Sequence, residues 1–108
     1  MKSVKFVIYA NLATLSCNKE QLESALLNIG VLHRASECLW FLEKECGFAF
    51  DPPTGPLTTI MDAIDPFVDE DNSRVFVCQI PYTRSGNTQF DGVLSDASIA
   101  FLESPNHL

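Results

Sequence analysis

The chain has 108 residues, of which 46% are hydrophobic and 19% are charged. This composition fits one globular domain and excludes a disordered tail or a coiled coil. Fourteen acidic residues against seven basic ones give a formal net charge of −7, and the basic residues are scattered. We therefore expect no nucleic-acid partner, because phosphate contacts need clustered cations.

No apolar run is long enough to cross a bilayer, so we expect no membrane partner and no signal peptide.

The first thirty residues predict a strand followed by a helix. Residues 5–9 are mostly β-branched or aromatic, which is typical of a strand. Asn18 and Gln21 have the spacing of a capping box, in which each residue bonds the backbone of the other at a helix start. Apolar residues then recur at i, i+3, i+4 and i+7, which places them on one helical face. Gly30 is a suitable residue just past the helix end.

The middle of the chain predicts a β-hairpin. Residues 32–36 form one strand and residues 39–42 begin the next, with the break near Glu37. No Asn-Gly or Asp-Gly pair marks this turn, so its boundary rests on strand length alone. Residues 46–53 fit either an extension of the sheet or a loop that packs beneath it.

The remainder predicts a helix, a strand and a short last helix. Pro56 suits the first turn of a helix, and Pro66 ends it because the residue before a proline leaves the α region. Residues 74–80 are the clearest strand of the sequence. A last helix is predicted over residues 95–102, with Ser95 as its N-cap.

This order of elements predicts an α+β fold of the ferredoxin-like type, β-α-β-β-α-β. Right-handed crossovers would place both helices on one face of a four-stranded antiparallel sheet, with the first and third strands at its centre. We assign residues 1–83 to this domain. Residues 84–108 form a C-terminal extension that packs on the sheet or on a partner subunit.

The predicted strands are apolar on both faces, although two helices cover only one. Such a pattern requires cover for the second face, because large exposed apolar patches usually mark an interface. We expect a homodimer that uses this face. The C-terminal extension, which contains Ile99, Phe101 and Leu102, is the other candidate cover.

The four cysteines predict free thiols rather than a disulfide framework or a zinc site. No pair has CxxC spacing, and the two histidines do not complete a metal pattern. We therefore expect a reducing, cytoplasmic compartment. The cysteines are Cys17, Cys38, Cys46 and Cys78.

Chemistry-bearing motifs are few. The sequence has no GxGxxG motif and no P-loop, and we expect no cofactor and no catalytic residue. Asp69 and Asp71 belong to the densest acidic run, whose simplest interpretation is a solvated turn. With Asp51 they are the candidate metal ligands if any exist, although the run lacks the alternating ligands of a calcium loop.

Four stretches of the sequence together resemble a known family. They are residues 9–12 (YANL), 36–42 (SECLWFL), 60–72 (IMDAIDPFVDEDN) and 74–77 (RVFV). The pattern is similar to the SinR-like proteins of bacteria and phages, which are small relatives of the dimeric ferredoxin-fold subunit of the CRISPR adaptation complex. The similarity covers residues 4 to 80.

The resemblance implies a ferredoxin-like homodimer. In nuclease-active relatives an Asp that follows a Tyr at the end of the first strand helps hold a divalent metal between the subunits. Here Tyr9 is followed by Ala10 and Asn11. A neutral amide is a poor substitute for a carboxylate on Mg²⁺, so we expect no metal-dependent nuclease activity.

Three functions remain as hypotheses. The first is a non-catalytic dimeric binding or regulatory module with a protein partner, in phage defence or a toxin–antitoxin system. In that case Asn11, Arg34 and Trp40 are the candidate binding residues. The second is a metal-dependent nuclease with its ligands relocated to the three aspartates named above. The third is an acidic inhibitor that mimics nucleic acid.

Overall fold

In a computed structural model, the protein is described over residues 2–46, 55–80 and 93–103. It is an α+β protein with a four-stranded antiparallel sheet and three helices. This confirms the predicted α+β class and the antiparallel sheet. Across the described ranges, no helix has the length and hydropathy needed to traverse a lipid bilayer.

The described helices and strands follow one another in chain order. They are β1 (Lys2–Ala10), α1 (Lys19–Leu27), β2 (Val31–Ser36), β3 (Leu39–Cys46), α2 (Pro56–Ile64), β4 (Val75–Ile80) and α3 (Asp96–Glu103), with short 3-10 turns at Leu12–Thr14 and Asp65–Phe67. The strands lie in the order β2-β3-β1-β4, and each neighbouring pair is antiparallel. The first and third strands are therefore central. Most of the unassigned segment, residues 47–53, lies outside the described residues.

Local signals in the sequence start and end the helices. The Asn18 side chain accepts from the Gln21 backbone at 2.8 Å, and the Gln21 side chain accepts from the Asn18 backbone at 2.9 Å, so the capping box is confirmed. Pro56 is in the first turn of α2, and that helix gives way to a 3-10 turn just before Pro66. The Ser95 hydroxyl accepts from the Ser98 backbone at the start of α3.

Gly30 has a different role from the one its position after the helix suggests. Helix α1 ends at Leu27 with Asn28 as its C-cap, and Gly30 does not have a positive φ. A Cβ at Gly30 would overlap the Glu43 carbonyl oxygen on β3. Glycine is needed here because two backbone segments pass too close for a side chain, not because the helix ends.

The first face of the sheet packs against α1 and α2 and forms the main core. Its buried residues are Phe6, Ile8, Ala10, Trp40 and Leu42 from the sheet, with Leu22, Leu26, Ile60 and Ile64 from the helices. Burial of each large side chain contributes about 1.5–3 kcal/mol. This core fixes the positions of the strand ends and of the turns described below.

The second face carries side chains in rows that cross the strands. One row joins Leu39, Tyr9 and Phe76, and the next joins Phe41, Val7 and Cys78. Helix α3 lies over one side of this face, where Phe101 and Leu102 pack with Phe41. We call the β2–β3 side, with His33 and Phe41, the covered half. We call Tyr9, Phe76 and Cys78 the open half.

Candidate functional site

An open cleft lies where β1 ends and the β2–β3 hairpin turns. Its volume is about 470 Å³, and it is lined by Asn11, Leu12, Ala13, Lys19, Arg34, Glu37 and Cys38. The 3-10 turn, the first residue of α1 and the hairpin each supply part of the wall. The cleft thus brings together two of the residues that the sequence indicated, Asn11 and Arg34, which are far apart along the chain.

The Asn11 side chain is engaged in local backbone structure. Its Oδ1 accepts a hydrogen bond from the Ala13 backbone N–H at 3.2 Å, which starts the 3-10 turn. The Asn11 backbone N–H donates to the Arg74 carbonyl at 3.0 Å, and the Thr14 hydroxyl donates to the Asn11 carbonyl at 2.7 Å. The Asn11 side-chain oxygen is therefore used as a cap.

Two cationic side chains border the cleft. The Arg34 Nε donates to the Ser36 carbonyl oxygen at 3.1 Å, which holds the exposed guanidinium beside its own strand. The Lys19 Nζ lies 3.8 Å from the Glu20 carboxylate, an exposed ion pair of small energetic value. Glu37 supplies a carboxylate to the same cleft.

Trp40 does not line the cleft. It is fully buried in the core beneath α1, and its indole Nε1 donates to the Glu23 Oε2 at 2.8 Å. A buried indole requires such an acceptor, so this bond connects the sheet to the helix. The position fits a structural role for Trp40 in holding α1 against β3.

The acidic candidates do not form a cation site within the described ranges. Asp69 caps its own turn: its Oδ1 accepts from the Asp71 backbone at 3.1 Å and its Oδ2 accepts from the Asn72 side chain at 3.0 Å. The Asn72 bond, followed by the Asp71 bond, holds the pKa of Asp69 below its usual value. No group of three potential ligands converges among the residues described, and Asp51 lies outside them.

The open half of the second sheet face exposes large apolar side chains. Tyr9 and Phe76 face each other across β1 and β4, with 39% and 61% of their surfaces exposed. Cys78 follows on the same face of β4 and is also exposed. Within the described part of the chain, β4 is an edge strand, so these side chains border a free strand edge.

A serine–histidine contact in the covered half had no signal in the sequence. The His33 Nε2 lies 2.9 Å from the Ser98 hydroxyl, and the His33 ring stacks on Phe101 at a centroid distance of 5.3 Å. Ser98 is only 1% exposed and is also bonded by the Ser95 hydroxyl. A nucleophile needs access to its substrate, so this pair serves to attach α3 to β2.

Sequence reasoning also missed Lys19, Glu37 and Cys38 as neighbours of Asn11. Spacing along the chain carried no signal for this cleft, because three separate elements build it. Comparison with protein-family models, with curated proteins and with solved structures finds no significant match for this chain.

Proposed function

We propose that the protein is a non-catalytic binding module of the ferredoxin-like type, which works as a homodimer through the open half of its second sheet face. The observation that carries this proposal is the exposed Tyr9–Phe76 pair beside Cys78. The strand order β2-β3-β1-β4 and the position of α1 and α2 on one face are compatible with a ferredoxin-like fold. The SinR-like resemblance supports the same dimeric arrangement.

The charge of the chain favours this surface as the place where two copies meet. Each copy carries a formal charge of −7, so two copies repel each other over most of their surfaces. The two sheet rows that contain the open half hold no charged side chain on β1, β3 or β4. An apolar contact there brings two copies together without placing carboxylates opposite carboxylates.

A matched pair of substitutions tests the dimer. Phe76→Lys places a charge in the open half, whereas Leu27→Lys changes a residue of nearly equal exposure (59%) on α1. We expect sedimentation velocity at micromolar concentrations to show a dimer for the parent chain and for Leu27→Lys, and a monomer for Phe76→Lys. A parent chain that stays monomeric at these concentrations would contradict the proposal.

Salt dependence separates this function from the charge-mimicking inhibitor. Screening weakens the repulsion between two acidic copies, so the homodimer should tighten as the salt concentration rises. An inhibitor that mimics nucleic acid would instead lose affinity for a basic partner with added salt. A homodimer that weakens with salt would show that charged contacts, not the open half, hold the copies together.

The nuclease hypothesis is tested by substitution at the end of β1. We expect no cleavage of RNA or DNA by the purified chain with Mg²⁺ or Mn²⁺, because Asn11 offers a neutral oxygen that already accepts from Ala13. Cleavage that disappears on Asp51→Ala, Asp69→Ala or Asp71→Ala would replace the binding module with the relocated-ligand enzyme.

We also propose a cytoplasmic location, which requires all four cysteines to titrate as free thiols under denaturing, non-reducing conditions.

A further inference from the structure

We propose that the cleft at the end of β1 is a second binding site, which takes a small organic anion with a carboxylate or phosphoryl group and an apolar body. It is formed by the strand ends and turns rather than by the sheet face, so it does not depend on the proposed dimer. It is an open cleft of about 470 Å³.

Arg34 supplies the anion contact. Its Nε is bonded to the Ser36 carbonyl, which orients the guanidinium while the two terminal nitrogens make no hydrogen bond to another described residue. A guanidinium fixed in this way presents a two-pronged donor that matches carboxylate and phosphate geometry. Less ordering is then required when the ligand binds.

The other lining residues narrow the class of ligand. Lys19 adds a second positive charge, although Glu20 at 3.8 Å offsets part of it. Glu37 adds a negative charge to the wall, which disfavours ligands with several charges. Leu12, Ala13 and Cys38 supply apolar surface for a short hydrocarbon or ring. A small anion with one charged end and one apolar group matches this combination.

The contrast with the rest of the surface supports this assignment. The chain is strongly acidic, yet this cleft gathers two cations from different elements. By comparison, Lys5 lies 3.8 Å from the buried Glu43, and Lys44 is itself buried. Within the described ranges, the cleft therefore places Arg34 and Lys19 side by side on a negative protein, while Glu20 and Glu37 limit the net charge, which suits a small anion and repels extended polyanions.

Titration with simple probes tests the site. We expect benzoate and phenyl phosphate to shift the backbone amide signals of residues 11–13, 19 and 34–38 in a saturable way. The expected dissociation constant is on the order of 1 mM. Benzamide, which has the same ring without the charge, should produce no saturable shift. The stronger of the two anions identifies whether the natural ligand carries a carboxylate or a phosphoryl group.

Two variants with matched controls decide the result. Arg34→Gln should weaken binding about tenfold or more because it removes the charged donors. Ser24→Asp makes the same change in net charge on the exposed side of α1 and should leave binding unchanged. Ala13→Asp, at an exposed position in the cleft, should abolish binding, whereas Ser24→Asp on the exposed side of α1 should not.

The proposal fails if no probe gives saturable shifts up to roughly twenty times the expected dissociation constant. It also fails if Arg34→Gln and Ser24→Asp weaken binding equally, because the anion is then attracted only by total charge. Alkylation of the Cys38 thiol gives an independent measurement: bound benzoate should slow it, and Arg34→Gln should remove that protection. A normal amide spectrum for each variant shows that it has folded.

Discussion

The two halves of the second sheet face carry similar side chains in different surroundings. In the covered half, Phe41 is 3% exposed because Phe101 and Leu102 of α3 pack on it. In the open half, Phe76 on the edge strand β4 is 61% exposed. Only β1 separates the two strands, and each of them places an aromatic side chain on this face.

The difference shows that the apolar pattern of the strands and the burial of their side chains are determined by separate parts of the chain. The two rows of the second face that contain Tyr9 and Val7 carry no charged side chain on β1, β3 or β4, and α3 decides which part of them becomes core. Full burial of an aromatic side chain contributes about 1.5–3 kcal/mol, and the open half has not gained this stabilisation from the residues described. The same chemistry therefore stabilises the monomer on one side and, in the proposed dimer, would stabilise the contact between copies on the other.

Replacing one phenylalanine with alanine in each half should give the largest difference in stability between the two halves. Phe101→Ala should lower the free energy of unfolding by roughly 3 kcal/mol, because it empties a buried aromatic site between α3 and the sheet. Phe76→Ala should change it by less than about 1 kcal/mol. Urea denaturation, at a concentration where sedimentation shows monomer, measures both values.

Equal losses for the two alanine variants would contradict the division into halves. If Phe76→Ala lost as much stability as Phe101→Ala in the monomer, the open half would be covered within the chain. A far-ultraviolet circular dichroism spectrum of Phe101→Ala adds a structural check. It should retain the signal of the sheet even where α3 has left its position.

Much of the fold could be predicted because its signals are local. The Asn18–Gln21 pair and Pro56 mark helix starts by direct backbone chemistry, and the first face follows from periodicity. The role of Gly30 could not be predicted, because it depends on the Glu43 carbonyl thirteen positions further along the chain. The choice of the covered half likewise depends on where α3 docks, which no strand pattern encodes.

The candidate site was predictable only in part. The sequence indicated Arg34 as a polar residue within a strand and Asn11 as a polar residue at a strand end. Their spacing along the chain did not predict that they line one cleft. Trp40 was a candidate because it is the only tryptophan in the sequence. Its large apolar ring is buried in the core rather than exposed to solvent. Tertiary contacts across the sheet decide such cases, and a single sequence does not contain them directly.

A smaller effect is expected from the hydrogen bond that attaches α3. Ser98→Ala removes the hydroxyl that lies 2.9 Å from the His33 Nε2. We expect a loss of about 1 kcal/mol in the free energy of unfolding, since one buried polar contact is lost while the Phe101 stacking remains. Ser24→Ala on the exposed side of α1 is the control, and it should not lower the free energy of unfolding. An unchanged stability for Ser98→Ala would show that packing alone holds α3.

Thiol reactivity compares the open half with the main core. Burial raises the pKa of Cys17, which packs against that core, so less of its reactive thiolate is present at neutral pH. Cys78 is exposed in the open half. Iodoacetamide should modify Cys78 before Cys17 in dilute protein, as mass spectrometry of peptides would show. At concentrations that favour the dimer, the alkylation of Cys78 should become slower, whereas the alkylation rate of Cys17 should stay the same. An alkylation rate of Cys78 that does not change with concentration would argue against an interface there.

The smallest effect is expected at the turn that leads into β4. The Asn72 side chain and the Asp71 backbone donate to Asp69 and lower its pKa, because both bonds favour the ionised carboxylate. The folded pKa is depressed, so the stabilisation is present above the ordinary carboxyl pKa and is lost as the pH falls through the folded value. The gain is small because the carboxylate is exposed to solvent. Asn72→Ala removes the larger cause and should raise the pKa of Asp69 towards its usual value, as carboxyl-carbon NMR titration measures. An unchanged pKa would show that the Asp71 backbone bond alone lowers the pKa of Asp69.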